Sequence, residues 1–166
     1  MRTAEYVMPG HPDKVCDQVS DAILDELLAQ DPNSRVAVEV AGGHGQIFIT
    51  GEVKSQGRVD YAAVFRRVQQ ELGVAGDYQI NVNVVEQSPD IAQGVDAGGA
   101  GDQGVMVGYA TRETLEMLPL PFVLARRICH KLFEVGHGLG PDGKAQVTVD
   151  ENNRPIKVVV SVQHPE

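Results

Sequence analysis

Apolar residues recur every fourth position at Val15, Val19, Ile23 and Leu27, while Asp13, Asp17, Asp21 and Asp25 share another face. That period predicts an amphipathic helix over residues 12–30. Pro12 suits its first position, where a missing N–H costs nothing, and Asp31-Pro32-Asn33 ends it. Residues 35–40 and 46–53 are β-rich runs joined by Gly42-Gly43-His44-Gly45, a hairpin signal. Tyr61, Val64, Phe65, Val68 and Leu72 line one side of a second helix over residues 60–72, which Gly73 stops. Ile80, Val82 and Val84 alternate in a strand over residues 78–86. Residues 88–104 contain Gly94, Gly98, Gly99, Gly101 and Gly104 and read as a mobile loop. A helix interrupted early by Pro119 and Pro121 is expected over 114–135, then a Gly-rich turn over 136–143. A second hairpin joins 145–149 to 156–162, with Asn152-Asn153 at its tip. The element order predicts an α+β fold with antiparallel sheets.

Composition narrows the class. Hydrophobic residues make up 42% of the 166 positions, enough for an ordinary core. No run approaches the length of a membrane span, and residues 1–10 lack the apolar segment of a secretory leader, so neither is expected. The net charge is −9 with no basic stripe, so no nucleic-acid partner is expected and a cytoplasmic location fits. A polyanionic ligand would need metal ions or locally placed lysines. Cys16 and Cys129 are far apart and read as two reduced thiols.

Several short segments have the chemistry of a site. Gly10-His11-Pro12-Asp13-Lys14 opens a helix, and a helix N-terminus attracts phosphate. There His11 has a hydrogen bond to offer a phosphate oxygen and Asp13 a carboxylate for magnesium. A plain helix cap explains the same residues. Pro141-Asp142-Gly143-Lys144 places a Lys for phosphate beside an Asp for metal or ribose, and also fits an ordinary turn. The Gly-rich residues 99–104 are neither a Walker loop nor a dinucleotide fingerprint. Glu39 and Glu52 lie inside β-runs, where carboxylates are either solvent-facing or aimed at a cation.

Taken in order, these segments resemble the methionine adenosyltransferase (S-adenosylmethionine synthetase) family. The resemblance rests on residues 10–25, on Gln87-Ser88-Pro89-Asp90-Ile91-Ala92-Gln93-Gly94-Val95, on residues 99–111 and on residues 141–148. It implies the S-adenosylmethionine synthetase fold, with residues 1–98 as an N-terminal domain with its gating loop and 99–166 as an incomplete central domain. It implies formation of S-adenosylmethionine from ATP and L-methionine, with release of phosphate and pyrophosphate and with Mg2+ and K+ as cofactors. By the same resemblance, His11 and Lys144 are catalytic, and ATP is held by His11, Asp142, Gly143 and Lys144. Glu52 and Gln87 contact methionine, Asp13 binds magnesium and Glu39 potassium, and Glu5, Asp90 and Asp102 line the pocket. Family subunits pair through flat sheet faces, so a homodimer or homotetramer is expected, with Val36, Val38, Ile47, Ile49 and Val53 offering apolar area. A separate chain carrying the missing C-terminal part is the other partner implied.

The chain departs from the family pattern at Met8-Pro9, in a short loop between Val95 and Gly99, in the turn before Pro141, and in length. Family members continue with further Arg, Lys and Asp ligands, so the isolated chain is expected to be inactive. A non-catalytic regulatory or nucleotide-binding subunit that docks on a full-length member, or a pseudoenzyme, is the alternative.

Overall fold

The computed structural model describes residues 1–96, 98–100, 104–136 and 138–165. Its elements run β1 (Arg2–Val7), α1 (Pro12–Gln30), β2 (Arg35–Gly43), β3 (Gln46–Lys54), α2 (Tyr61–Glu71), β4 (Gln79–Glu86), α3 (Pro89–Asp96), α4 (Leu120–Val135), β5 (Gly143–Val149) and β6 (Pro155–Val162). The strands make two three-stranded sheets, β1-β5-β6 and β2-β3-β4. Each sheet belongs to its own compact unit. One unit comprises Met1–Val15, Glu71–Val74 and Val107–Glu166; the other comprises Cys16–Gln70 and Ala75–Met106.

In the second unit, helices cover one face of β2-β3-β4. The predicted stripe of α1 is buried throughout, and Ser20 Oγ donates to the Val38 carbonyl at 2.6 Å, tying α1 to β2. Val64, Phe65 and Val68 of α2 are buried, and Phe65 meets Tyr78 edge-on at 5.3 Å. The β2–β3 turn places His44 at φ 51° and Gly45 at φ 77°, the left-handed pair that a tight two-residue hairpin needs. β2 and β3 are antiparallel, but β4 pairs with β3 in parallel, which corrects the all-antiparallel expectation. The reason is topological: α2 carries the chain back across the sheet, so β4 starts at the same end as β3.

Val38, Ile47 and Ile49 prove to be core residues of the chain itself, not a docking face. Strand alternation turns Ala37, Glu39, Ala41, Phe48 and Val85 the other way, and Phe48 and Val85 are about half exposed.

In the first unit α4 covers one face of β1-β5-β6. Ala125 packs with Val147 and Val149, and Cys129 packs with Met8 and Ala145. Burial pushes the Cys129 thiol up, which keeps it protonated and unreactive, and it donates to the Tyr6 carbonyl at 3.1 Å. Strand β1 was not expected from its sequence. The helix expected from residue 114 begins at Leu120, because Pro119 sits in extended backbone at ψ 135°. Before it, Thr114 Oγ1 closes a turn by accepting from the Leu118 N–H at 3.2 Å and donating to the Leu118 carbonyl at 2.7 Å.

Candidate functional site

The first unit brings two of the singled-out segments together. Beyond β1, the Met8 N–H donates to the Gly143 carbonyl at 2.7 Å and the Gly10 N–H to the Pro141 carbonyl at 3.1 Å. The 10–14 segment therefore runs beside the 141–144 turn. A Cβ on Gly10 would strike Pro141, so this approach requires glycine. The Met8 departure is a packing residue: it is fully buried between α4 and β5.

His11 is the cap of α1. Its carbonyl accepts the Val15 N–H at 2.9 Å, and its ring Nδ1 accepts the Asp13 N–H at 3.3 Å. A neutral ring whose Nδ1 accepts keeps its proton on Nε2, which is left able to donate outward. The Asp13 carboxylate is 88% exposed, with Oδ2 3.8 Å from His11 Nδ1.

Strand β5 begins at Gly143. Its residues Ala145, Val147 and Val149 face α4, so Lys144 is turned to the opposite, open face. Lys144 stands between Val7 on β1 and Ser161 on β6. Glu5, two residues before Val7, lies on that same open face and is exposed. His11, Asp142, Gly143, Lys144, Ser161, Val162 and Gln163 line one open cleft of about 330 Å³. The Gln163 N–H donates to the Asp142 carbonyl at 2.9 Å, and the Gly140 N–H to the Gln163 carbonyl at 2.8 Å. Residues 161–163 were not anticipated. Counting the hairpin register outward from the Asn152-Asn153 tip would have set Ser161 against Lys144.

The remaining predicted residues that the structure describes lie in the second unit. Glu39 pairs in register with Thr50 and Glu52 with Ala37, so both carboxylates share the sheet face that looks away from the core. Gln87 follows β4; its N–H donates to the Val53 carbonyl at 3.1 Å, and its side-chain Oε1 is buried without a partner among the described residues. A buried amide oxygen without a donor is costly and suits a ligand that brings one. Asp90 is exposed in the first turn of α3, which Ser88 Oγ caps by accepting the Asp90 N–H at 3.2 Å. Residues 89–96 thus form a helix where a loop was expected. Lys54, two residues after Glu52, reaches α3 through a 2.7 Å ion pair with Asp96, whose carboxyl the Lys54 ammonium holds below the usual range. Asp102 lies outside the described residues. Among the described residues no three His, Cys, Asp or Glu side chains converge as a metal site.

In this α+β chain a capped helix start and a lysine meet in one cleft. Comparison with known proteins gives the family. Residues 1–94 match the model for the S-adenosylmethionine synthetase N-terminal domain, and residues 97–166 match that for the central domain. The chain belongs to the S-adenosylmethionine synthetase family. It is 48% identical to the S-adenosylmethionine synthase of Parasynechococcus marenigrum (strain WH8102) over 98% of its own length and 46% of that protein's. It is 47% identical to the synthase of Prochlorococcus marinus (strain MIT 9211), over 98% of the chain and 47% of that protein. The chain thus spans about half the length of the curated relatives it matches.

Proposed function

We propose that the chain supplies the N-terminal and central segments of a methionine adenosyltransferase, divided near residues 98 and 99, that makes S-adenosylmethionine from ATP and methionine. The observation that carries this reading is the cleft in which His11, Asp142, Gly143 and Lys144 meet. In the reaction the methionine sulfur attacks the ribose 5′ carbon and the polyphosphate leaves. A thioether sulfur is neutral and needs no base, so the protein has to orient the reactants and stabilise charge on the leaving group. Lys144 and the Nε2–H of His11 meet that charge, and Asp142 reaches the ribose or a metal.

Asp13 offers one exposed carboxylate, which fits magnesium, an ion that commonly keeps waters and phosphate oxygens as its other ligands. When bound there, magnesium offsets negative charge on the polyphosphate. Glu39 gives a single oxygen group for potassium, so the rest of that cage belongs to other residues. On the methionine side, the Gln87 amide oxygen accepts from the substrate ammonium and Glu52 adds a negative charge. Glu5, Asp90 and Asp102 line the surroundings.

Half-exposed Phe48 and Val85 on one sheet, and Ile156, Val158 and Val160 on β6, are apolar surface of the kind that assembly covers, as a homodimer or homotetramer or against a chain carrying the rest of the enzyme. No helix among the described residues is long and apolar enough to cross a membrane; a cytoplasmic location is part of the same proposal. The test is calorimetric titration with magnesium–ATP. Saturable binding that Lys144→Ala weakens by about tenfold or more is expected. No binding, or binding indifferent to Lys144, would overturn the reading. Turnover separates it from a non-catalytic subunit: joined to the C-terminal part of a relative, the chain forms S-adenosylmethionine, and alone it does not.

A further inference from the structure

We infer that Ser161 is a direct ligand of the phosphoryl chain, forming with Lys144 a two-strand clamp; this rests on the nucleotide reading of the cleft. Ser161 and Lys144 are register partners on adjacent antiparallel strands, and both are exposed. Directly opposed residues project to the same face with Cβ atoms about 4.5–5.5 Å apart. One phosphoryl oxygen seated between them can accept one hydrogen bond from the ammonium and another from the hydroxyl. Serine is also out of keeping with its strand, which reads Ile156, Lys157, Val158, Val159, Val160, Ser161, Val162. Strand packing favours another β-branched residue at that position; a hydroxyl facing Lys144 is explained by a ligand. The strand end is held in place, since Gln163 bonds Asp142 through its N–H and Gly140 through its carbonyl.

The cleft further points to phosphate rather than base. Among the described residues its lining, from His11 to Gln163, includes the His11 imidazole but no Phe, Tyr or Trp ring to stack an adenine, and its donors are the imidazole, an ammonium, a hydroxyl and an amide. Inorganic tripolyphosphate, with no nucleoside attached, is therefore a sufficient probe.

The experiment titrates the 166-residue chain with magnesium tripolyphosphate in the wild type and in Ser161→Ala, Ser161→Thr and Lys144→Ala, with thermal unfolding alongside. Loss of one hydrogen bond to a charged ligand at this open site should weaken Ser161→Ala about five- to tenfold, with unfolding temperature unchanged and Thr restoring affinity. If Lys144→Ala weakens binding while Ser161→Ala matches the wild type, the clamp is wrong and the nucleotide reading stands. If Ser161→Thr fails to restore affinity, the hydroxyl is not the ligand and the inference falls. If the wild type does not bind, or Lys144→Ala binds equally well, the nucleotide reading fails and the clamp with it.

Discussion

His11 caps α1 and under the proposed reading also meets phosphate, two roles that the sequence left as alternatives. A cap needs an acceptor toward the first helical N–H groups, and a phosphate ligand needs a donor toward solvent. The two are compatible because they fall on different nitrogens: Nδ1 takes the Asp13 N–H, and Nε2 is left to donate. Replacement should separate them. His11→Asn keeps a good capping side chain, but its shorter amide cannot place a donor where the Nε2–H stands, so it should fold normally and bind magnesium tripolyphosphate more weakly. His11→Ala should lose the cap as well, at about 1 kcal/mol of stability. Urea unfolding read beside ligand affinity decides this; destabilised variants that bind like the wild type would reduce His11 to a cap. Asp13→Asn should leave folding intact and blunt the rise of ATP affinity with magnesium, and an unchanged magnesium dependence would remove Asp13 from the site.

Among the elements, α3 is the one most lightly held. None of its residues is buried, and its tie to the sheet is the exposed Lys54–Asp96 pair. Surface pairs of this kind contribute little, so α3 should open readily, and more so at high salt. Amide exchange over residues 89–96 should rise about two- to fivefold in Lys54→Met and be recovered by the charge swap Lys54→Asp with Asp96→Lys. Exchange that ignores both changes would show that the pair does not hold the helix. The start of α3 was legible: Ser88 caps it, Pro89 opens it and Asp90 sits in the first turn, but the following glycines outweighed them. The periodic helices α1 and α2 were read closely because their burial repeats locally. Strand β1 was not, since Arg2–Val7 pairs with β5, at the far end of the chain, and no local pattern encodes that partner. The candidate site divides the same way: His11 and Lys144 announce themselves in motifs, whereas Ser161 gains meaning only from the register that sets it beside Lys144.

At the scale of the whole molecule, the chain is acidic, and several carboxylates are ionised more easily in the fold than outside it. The Arg2 guanidinium, 2.5 Å away, and the Leu120 N–H hold Glu113 below its usual range; Arg127 does the same for Glu116, and the Gln56 and Asn33 N–H groups for Asp31. A depressed carboxylate stabilises the fold above its unfolded pKa, about 4.3 for Glu, and that contribution disappears as pH falls through the lower folded value. Urea midpoints should therefore drop below about pH 4.5, and Glu113→Gln should be less stable than the wild type at pH 7 but closer to it at pH 3. Equal differences at both pH values would show that the Arg2 pair is not the cause. Given the same acidity, the proposed triphosphate ligand depends on the few lysines and the capped helix start, and that dependence is the central claim. It is tested most directly by backbone amide shifts of the 15N-labelled chain on titration with magnesium–ATP and, separately, with methionine. The account predicts that ATP moves residues 10–13, 141–144 and 161–163, and that methionine moves Glu52 and residues 87–90. ATP binding that leaves 141–144 and 161–163 unmoved would contradict it.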